Sequence, residues 1–349
     1  MEEEMSESST EQVLEIVLPG AVEPDGLELR HRERPVPGSG QALVRVEATG
    51  VSFAEQQMRR AKYYDQPAFP FVPGYDLVGT VAAVGAGVDP ALVGRRFAAL
   101  TKIGGWTSHA LVEAADLVPV PDGVDPAEAE TVVVNGITAW QMLHGIAKVT
   151  AGQTVLVHGA NGGVGSTLVQ LARLAGARVI GTASPRNHDT VRTLGATPID
   201  YRAADLPTKV RELAPDGVDA VFDHVGGPGI VDSYRLLAPR GTLVAYGTAS
   251  TRDQAGSSQL PVLKLFGRLL WWNALPNGHT ARFYNIWAGR RGAAKFRARL
   301  ADDLGAVFAL LAEGRLRPQV AARVPLEQVA DAVRLAESGT VTGKVVLVP

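Results

Sequence analysis

The chain has 349 residues, 46% of them hydrophobic and 20% charged, the make-up of a globular protein long enough for two domains with separate cores. Lys plus Arg number 34 against 36 Asp plus Glu, and the net charge of -2 provides no global basic field for nucleic acid or acidic membranes. Cysteine is absent, which excludes disulfides, thiolate-ligated zinc, iron-sulfur clusters and cysteine nucleophiles and leaves the redox compartment open.

Residues 1–12 read as a flexible acidic tail, without the basic start and apolar run of a secretory signal. Apolar stretches such as Val132–Ala139, broken by Asn135 and Gly136, fall short of the roughly 18 residues of a membrane span. A soluble, cytoplasmic protein is expected. From residue 13 to 120, short alternating segments predict strands at Ala42–Ala48, Leu77–Val84 and Ser108–Val112, with turns at Pro37-Gly38, Pro73-Gly74 and Pro121-Asp122-Gly123. This half reads as a twisted, barrel-like β domain. From about Pro126, brief apolar runs at Val155–His158, Arg178–Thr182, Ala220–Phe222 and Thr242–Tyr246 alternate with segments of helical period. Such alternation predicts βαβ units and a parallel sheet covered on both faces. Leu263–Trp272 is a concentrated apolar run that reads more readily as a buried helix than as a substrate-gating wall or a dimer surface. An amphipathic helix over Phe296–Glu313 stops at Gly314, and a last strand ends the chain at Gly343–Val348.

The most informative stretch is Val155–Gly165, VLVHGANGGVG, followed by STLVQLARLAG. A strand runs into a glycine-rich turn of the form A-x-G-x-x-G (Ala160, Gly162, Gly165, with Gly163 and Val164 inside it) and then into a helix that Gly176 ends. Such a turn lets backbone approach a pyrophosphate, and the helix start offers free N–H groups and a positive dipole. An NAD site usually places an acid at the end of the next strand. Here Gly181 is followed by Thr182-Ala183-Ser184-Pro185-Arg186, with no acid before Asp189. Ser184 and Arg186 suit a 2′-phosphate through charge-assisted bonds, so NADPH is the expected cofactor. Tyr201, after the third strand of this half, is placed to close over the adenosine phosphate, or to pack. His158 reads as structural or cofactor-adjacent.

Together, Asn135-Gly136-Ile137-Thr138-Ala139-Trp140, the glycine loop, Gly241–Gly247 (GTLVAYG) and Thr342–Leu347 (TGKVVL) resemble the zinc-independent quinone oxidoreductase branch of the medium-chain dehydrogenase/reductases, the branch of zeta-crystallin. The resemblance implies an α/β protein: a GroES-like catalytic domain (13–127 and 291–349) and a doubly wound Rossmann domain (128–290), with the cofactor between them. It also implies a homodimer joined through a strand around Phe283–Trp287. It places Asn135, Thr138, Tyr246, Gly247 and Lys344 near the cofactor, and Ser52, Tyr63 and Tyr64 at the substrate pocket. Zinc-bearing relatives carry a cysteine after the first catalytic-domain strands and a Gly-His-Glu motif; here Gly50-Val51-Ser52 and Gly74-Tyr75-Asp76 stand there, and no metal is expected.

Without zinc, alcohol oxidation lacks its electrophile, whereas a conjugated acceptor delocalises the charge that hydride brings and needs only hydrogen-bond donors. The expected reaction is NADPH-dependent reduction of a quinone or of an activated C=C bond in an enone or 2-alkenal. Tyr63 matches the position where some enoyl reductases hold a catalytic tyrosine; it donates the proton, or it lines the pocket while water does so. Two other readings are a cofactor-binding protein without turnover and an enoyl reductase on carrier-bound acyl chains. The last needs a basic docking patch, for which Arg282, Arg290, Arg291 and Lys295 are available.

Overall fold

A computed structural model describes residues 12–251 and 259–349. The expected acidic tail lies outside the described residues except for Gln12, where β1 (Gln12–Val17) begins and pairs antiparallel with β2 (Glu28–Glu33). β3 (Gln41–Val51), α1 (Phe53–Arg59), β4 (Asp76–Val84), β5 (Arg96–Leu100), β6 (His109–Glu113) and β7 (Val118–Pro119) follow. Then α2 (Pro126–Thr131) and α3 (Val133–Trp140) lead through a π-helical turn, Gln141–Ala147, into the second half.

There, strands and helices alternate: β8 (Thr154–Val157), α4 (Gly163–Leu174), β9 (Arg178–Ala183), α5 (His188–Leu194), β10 (Thr197–Asp200), α6 (Leu206–Leu213) and β11 (Val218–Asp223). The series continues with α7 (Ile230–Arg235), β12 (Leu237–Ala245), α8 (Gln259–Ala274) and β13 (Thr280–Phe283). These six strands form one parallel sheet in the order β10-β9-β8-β11-β12-β13. Alternate residues of each strand enter opposite cores. Leu156, Ile180, Ile199, Val221 and Leu243 belong to one, and Val155, Val157, Val179, Phe222 and Val244 to the other. That two-sided burial is why the strands read as unbroken apolar runs. The order reverses between β8 and β11, and a crevice opens beyond the carboxyl ends of strands at such a switch point.

The chain then returns to its beginning. After α9 (Ala293–Ala312), β14 (Val320–Pro325) and α10 (Val329–Glu337), β15 (Lys344–Val348) pairs antiparallel with β3. The resulting sheet runs β14-β15-β3-β4-β5-β7, with β6 also on β3, so both chain ends share one GroES-like layer.

Two expectations are corrected. The strand expected around Phe283–Trp287 ends at Phe283, and Tyr284–Trp287 form the turn beyond it. The run Leu263–Trp272 is helical but only half-buried: Leu265, Leu269 and Trp272 pack inward, while Leu263, Phe266, Leu270 and Trp271 are exposed. Lys264 and Arg268 stand one turn apart on this helix, but apolar residues lie on every other side of it, so its sequence does not show which of them meet the core.

Candidate active site

The glycine loop sits where the fold requires it, between β8 and α4 and facing β11. A Cβ on Gly165 would stand 2.1 Å from the Gly159 carbonyl oxygen, and one on Gly163 would stand 2.4 Å from Asn135 Nδ2. Only bare backbone fits, and it presents its N–H groups at the start of a twelve-residue helix. Asn135 is buried within α3, donates to the Thr131 carbonyl at 3.0 Å and borders the loop. Thr138 lies one turn further on, so both are interior to α3 and neither caps it. Ala160 is fully buried under the turn.

Behind the loop runs a directional hydrogen-bond chain. Ser233 donates its hydroxyl proton to Asp223 Oδ2 at 2.7 Å, so His158 Nε2, 3.1 Å from Ser233 Oγ, must carry a proton and donate. His158 Nδ1 then accepts from the Thr182 hydroxyl at 3.2 Å, and Thr182 Oγ1 accepts from Gly159 N–H. Burial pushes the His158 pKa down despite nearby Asp223, which keeps the ring neutral. Asp223 Oδ1 accepts from the N–H groups of Val225 and Gly226 at 2.8 and 2.9 Å, tying both crevice loops to one network.

Three buried polar atoms around the crevice lack a partner among the described residues: Ser52 Oγ, His224 Nδ1 and Ser250 Oγ. The other nitrogen of His224 bonds to the His158 backbone, so Nδ1 is left as a bare acceptor. Tyr246 stacks obliquely 5.8 Å from His224, and Gly247 lies against the His224 carbonyl. Unsatisfied buried groups beside a glycine cradle fit a ligand with its own donors and acceptors, as a dinucleotide has.

At the other end of the crevice, Tyr201 N–H donates to the Ala183 carbonyl at 3.3 Å, which sets Tyr201 beside Ser184. Arg186 donates to the Gly339 carbonyl, and the Arg202 guanidinium lies 5.0 Å over the Tyr201 ring. The expected phosphate residues thus share one rim with a second arginine that the sequence did not single out.

A second group of side chains is an aromatic cluster. The Tyr63 and Tyr75 hydroxyls are 2.8 Å apart, Trp287 Nε1 donates to the Tyr75 oxygen, and Tyr64 donates to Asn285 Oδ1 at 3.2 Å. Burial raises the phenol pKa of Tyr63 and of Tyr75 far above ordinary, so both stay protonated. Tyr75, Asn285 and Trp287 escape sequence reasoning. Only Tyr75 left a signal, by standing in the vacated metal motif; the other two arrive from a turn more than 200 residues away.

Lys344 lies next to Gly343, which bridges to Gly162 of the loop. It is 3% exposed, and its ammonium bonds to both Asp76 oxygens at 2.9 and 2.8 Å and to Glu130 Oε1 at 2.6 Å. All three of its ammonium donors are used, so its side chain holds the fold together. Burial works against the ammonium, but the two carboxylates outweigh it and raise the Lys344 pKa.

Comparison with known proteins agrees with this geometry. Residues 38–122 match the alcohol dehydrogenase GroES-like domain and residues 194–347 the zinc-binding dehydrogenase family. The rat synaptic vesicle membrane protein VAT-1 homolog is 32% identical over 346 residues, covering 96% of this chain and 83% of its own. This chain belongs to the zinc-independent VAT-1/quinone oxidoreductase branch of the medium-chain dehydrogenase/reductases. Within that family, a Pseudomonas syringae quinone oxidoreductase superimposes with a TM-score of 0.84 at 28% identity, covering 97% of this chain and 100% of the other. A mycobacterial protein solved with NADPH gives 0.81 at 28%, with the same coverage. The family name mentions zinc, yet the donor set here does not suit it. Ser52 and Tyr75 replace soft and imidazole ligands, a lysine ammonium already neutralises Asp76, and the described residues contain no group of three or more metal-ligating side chains. Among the described residues, no helix is long and apolar enough to cross a membrane.

Proposed function

We propose that this chain is an NADPH-dependent, metal-free oxidoreductase that reduces a quinone or the activated C=C bond of an enone or 2-alkenal. One observation supports the reading: Tyr75, standing where the zinc-bearing relatives carry a Gly-His-Glu motif, shares a buried hydrogen bond with Tyr63 and accepts another from Trp287. The loop N–H groups of Gly162–Gly165 and the start of α4 hold the pyrophosphate, and Ser184, Arg186 and Tyr201 take the 2′-phosphate, with Arg202 beside them. Asn135, Thr138, Tyr246, Gly247 and Ser52 flank the nicotinamide. When bound, the cofactor supplies the hydride. Tyr63 donates a hydrogen bond to the substrate oxygen that gains charge, and it releases its proton once the β-carbon has been reduced. Tyr64 lines the mouth of the pocket.

The test is NADPH oxidation with quinone and 2-alkenal panels, with and without a chelator. Turnover that survives the chelator and prefers NADPH to NADH is expected, and Arg186→Ala should erode that preference about tenfold. Inactivity with both panels sinks the reading. A second reading, reduction of carrier-bound acyl thioesters, draws on a 32% match over 340 residues to the phthioceranic/hydroxyphthioceranic acid synthase of Mycobacterium tuberculosis, of which this chain spans 15%. It predicts activity on an acyl thioester far above that on the free 2-alkenal.

A further inference from the structure

We propose that Trp287 and Tyr75 are positioning residues: the Trp287 indole, reaching across from the other half of the molecule, fixes the direction of the Tyr75 hydroxyl, and Tyr75 in turn leaves the Tyr63 proton free for the substrate. The proposal rests on the reading that Tyr63 donates to the substrate oxygen.

The direction follows from counting protons. An indole N–H only donates, whereas a phenol has one proton to give and an oxygen that accepts. Among the described residues the Tyr75 hydroxyl has two partners: it accepts from Trp287 Nε1, and it lies 2.8 Å from the Tyr63 hydroxyl. The Tyr75 proton cannot point at the N–H that approaches it, so the acceptor left to it is the Tyr63 oxygen. Were Tyr63 the donor instead, the Tyr75 proton would lie in a residue only 4% exposed with no acceptor, an arrangement that folded proteins avoid. The sense is therefore Trp287 to Tyr75 to Tyr63, and the proton left over for a ligand is that of Tyr63. Burial keeps both phenols protonated, so neither link is lost near neutral pH.

Both ends of the row are held. Tyr75 N–H donates to Glu55 Oε1 at 2.7 Å, and the Tyr75 carbonyl accepts from Thr101 and Lys102 at 2.9 and 3.1 Å. The Trp287 ring lies 5.7 Å from Tyr75 and 6.0 Å from Phe296, with the Arg290 guanidinium 5.1 Å over it, and the Trp287 backbone N–H donates to Asn285 Oδ1 at 2.9 Å. The turn that carries Trp287 starts where Tyr284 N–H donates to the Ala245 carbonyl at 2.8 Å, at the carboxyl end of β12. Carboxyl ends of a parallel sheet lie at one edge, so this turn emerges at the edge where the glycine loop leaves β8. Tyr63 and Tyr75 belong to the α1–β4 connection of the catalytic layer, and the donor that orders them comes from the Rossmann sheet.

Trp287→Phe keeps an aromatic ring and removes the N–H. The Tyr75 proton is then free to take the vacated direction, with Tyr63 donating inward to Tyr75. With a 2-alkenal, Trp287→Phe and Tyr75→Phe should each lower kcat about tenfold, at a KM within about twofold of wild type. In a Tyr63→Phe background, Trp287→Phe should change kcat by less than about twofold, because a residue that acts through Tyr63 has nothing left to act on. A second tenfold loss in that background makes Trp287 a packing residue and overturns the proposal. Orientation is also read without turnover. In ligand-free protein labelled with 13Cζ-tyrosine, Trp287→Phe should move the Tyr63 resonance together with that of Tyr75, and movement at Tyr75 alone overturns the proposal. A wild type that reduces no electrophile defeats the functional reading only, because the resonances decide the orientation with no substrate present.

Discussion

At Lys344 an ammonium and two carboxylates are buried together, with 2% exposure for the lysine side chain and none for Asp76 and Glu130. Taking the cation away strands two buried anions, so Lys344→Met should cost about 3–5 kcal/mol in equilibrium urea unfolding. Glu55 lies in the same field. Its carboxylate accepts from the N–H groups of Tyr75 and Ser52, yet burial, followed by the charge of Asp76, raises its pKa from 4.5 to about 7. A carboxyl that binds its proton more tightly when folded stabilises the protein below its unfolded pKa. That contribution fades as pH rises from 4.5 towards 7 and is constant above. The stability difference between wild type and Glu55→Gln should therefore shift by about 3 kcal/mol across that window, with the wild type losing ground as pH rises. Urea unfolding at stepped pH measures it, and a flat difference refutes the assignment. Glu130 is raised in the same way, by burial and by Asp76, and adds to the wild-type slope.

Among the elements, α8 is the one that its own sequence describes least well. Leu269 is 4% exposed and Leu270 is 72% exposed, although the two are neighbours in an unbroken apolar run. Leu269→Ala should cost about 2–5 kcal/mol and Leu270→Ala less than about 0.5 kcal/mol, measured by thermal or urea unfolding. Similar losses at both positions would mean that the outer face is covered in solution. Asn273, on the same helix, donates to the Ala281 carbonyl at 2.7 Å and accepts its N–H at 3.0 Å, filling part of the open edge of β13. An edge strand with bare N–H and C=O groups is a template for another chain. Asn273→Ala should cost about 1–3 kcal/mol and increase association with concentration, read by sedimentation. The homodimer expected through this part of the chain must either use what remains of the edge beside Phe283 or displace that amide.

For the molecule as a whole, the last segment of the catalytic layer clasps the dinucleotide loop. Gly343 N–H donates to the Asn161 carbonyl at 2.9 Å, and Gly343 bridges to Gly162. Arg186 reaches the Gly339 carbonyl, and Gln170 exchanges hydrogen bonds with the Arg317 backbone at 3.0 and 2.9 Å. Gly343 holds φ at +88° with a neighbouring carbonyl oxygen 1.8 Å from where a Cβ would sit, so no other residue fits the clasp. Anything that orders the loop must order this segment too. NADPH should slow amide exchange in 161–165 and in 339–344 together, as mass spectrometry can follow, and Gly343→Ala should uncouple the two and weaken NADPH binding.

What the sequence alone determined about this protein is local and periodic: the two-sided apolar strands, the glycine loop between strand and helix, the absence of an acid after Gly181, and the missing thiolates. Each is written in neighbouring residues, because backbone approach, strand burial and ligand chemistry are set within one turn or one strand. Only the tertiary structure decided what depends on distant segments meeting. It paired Lys344 with two buried carboxylates and divided α8 into an inner and an outer face. It also brought Asn285 and Trp287 to three tyrosines that lie more than 200 residues earlier. Hydrogen-bond partners and burial are properties of packed neighbours, and those neighbours come together only when β15 returns to β3 and the crevice closes between the sheets.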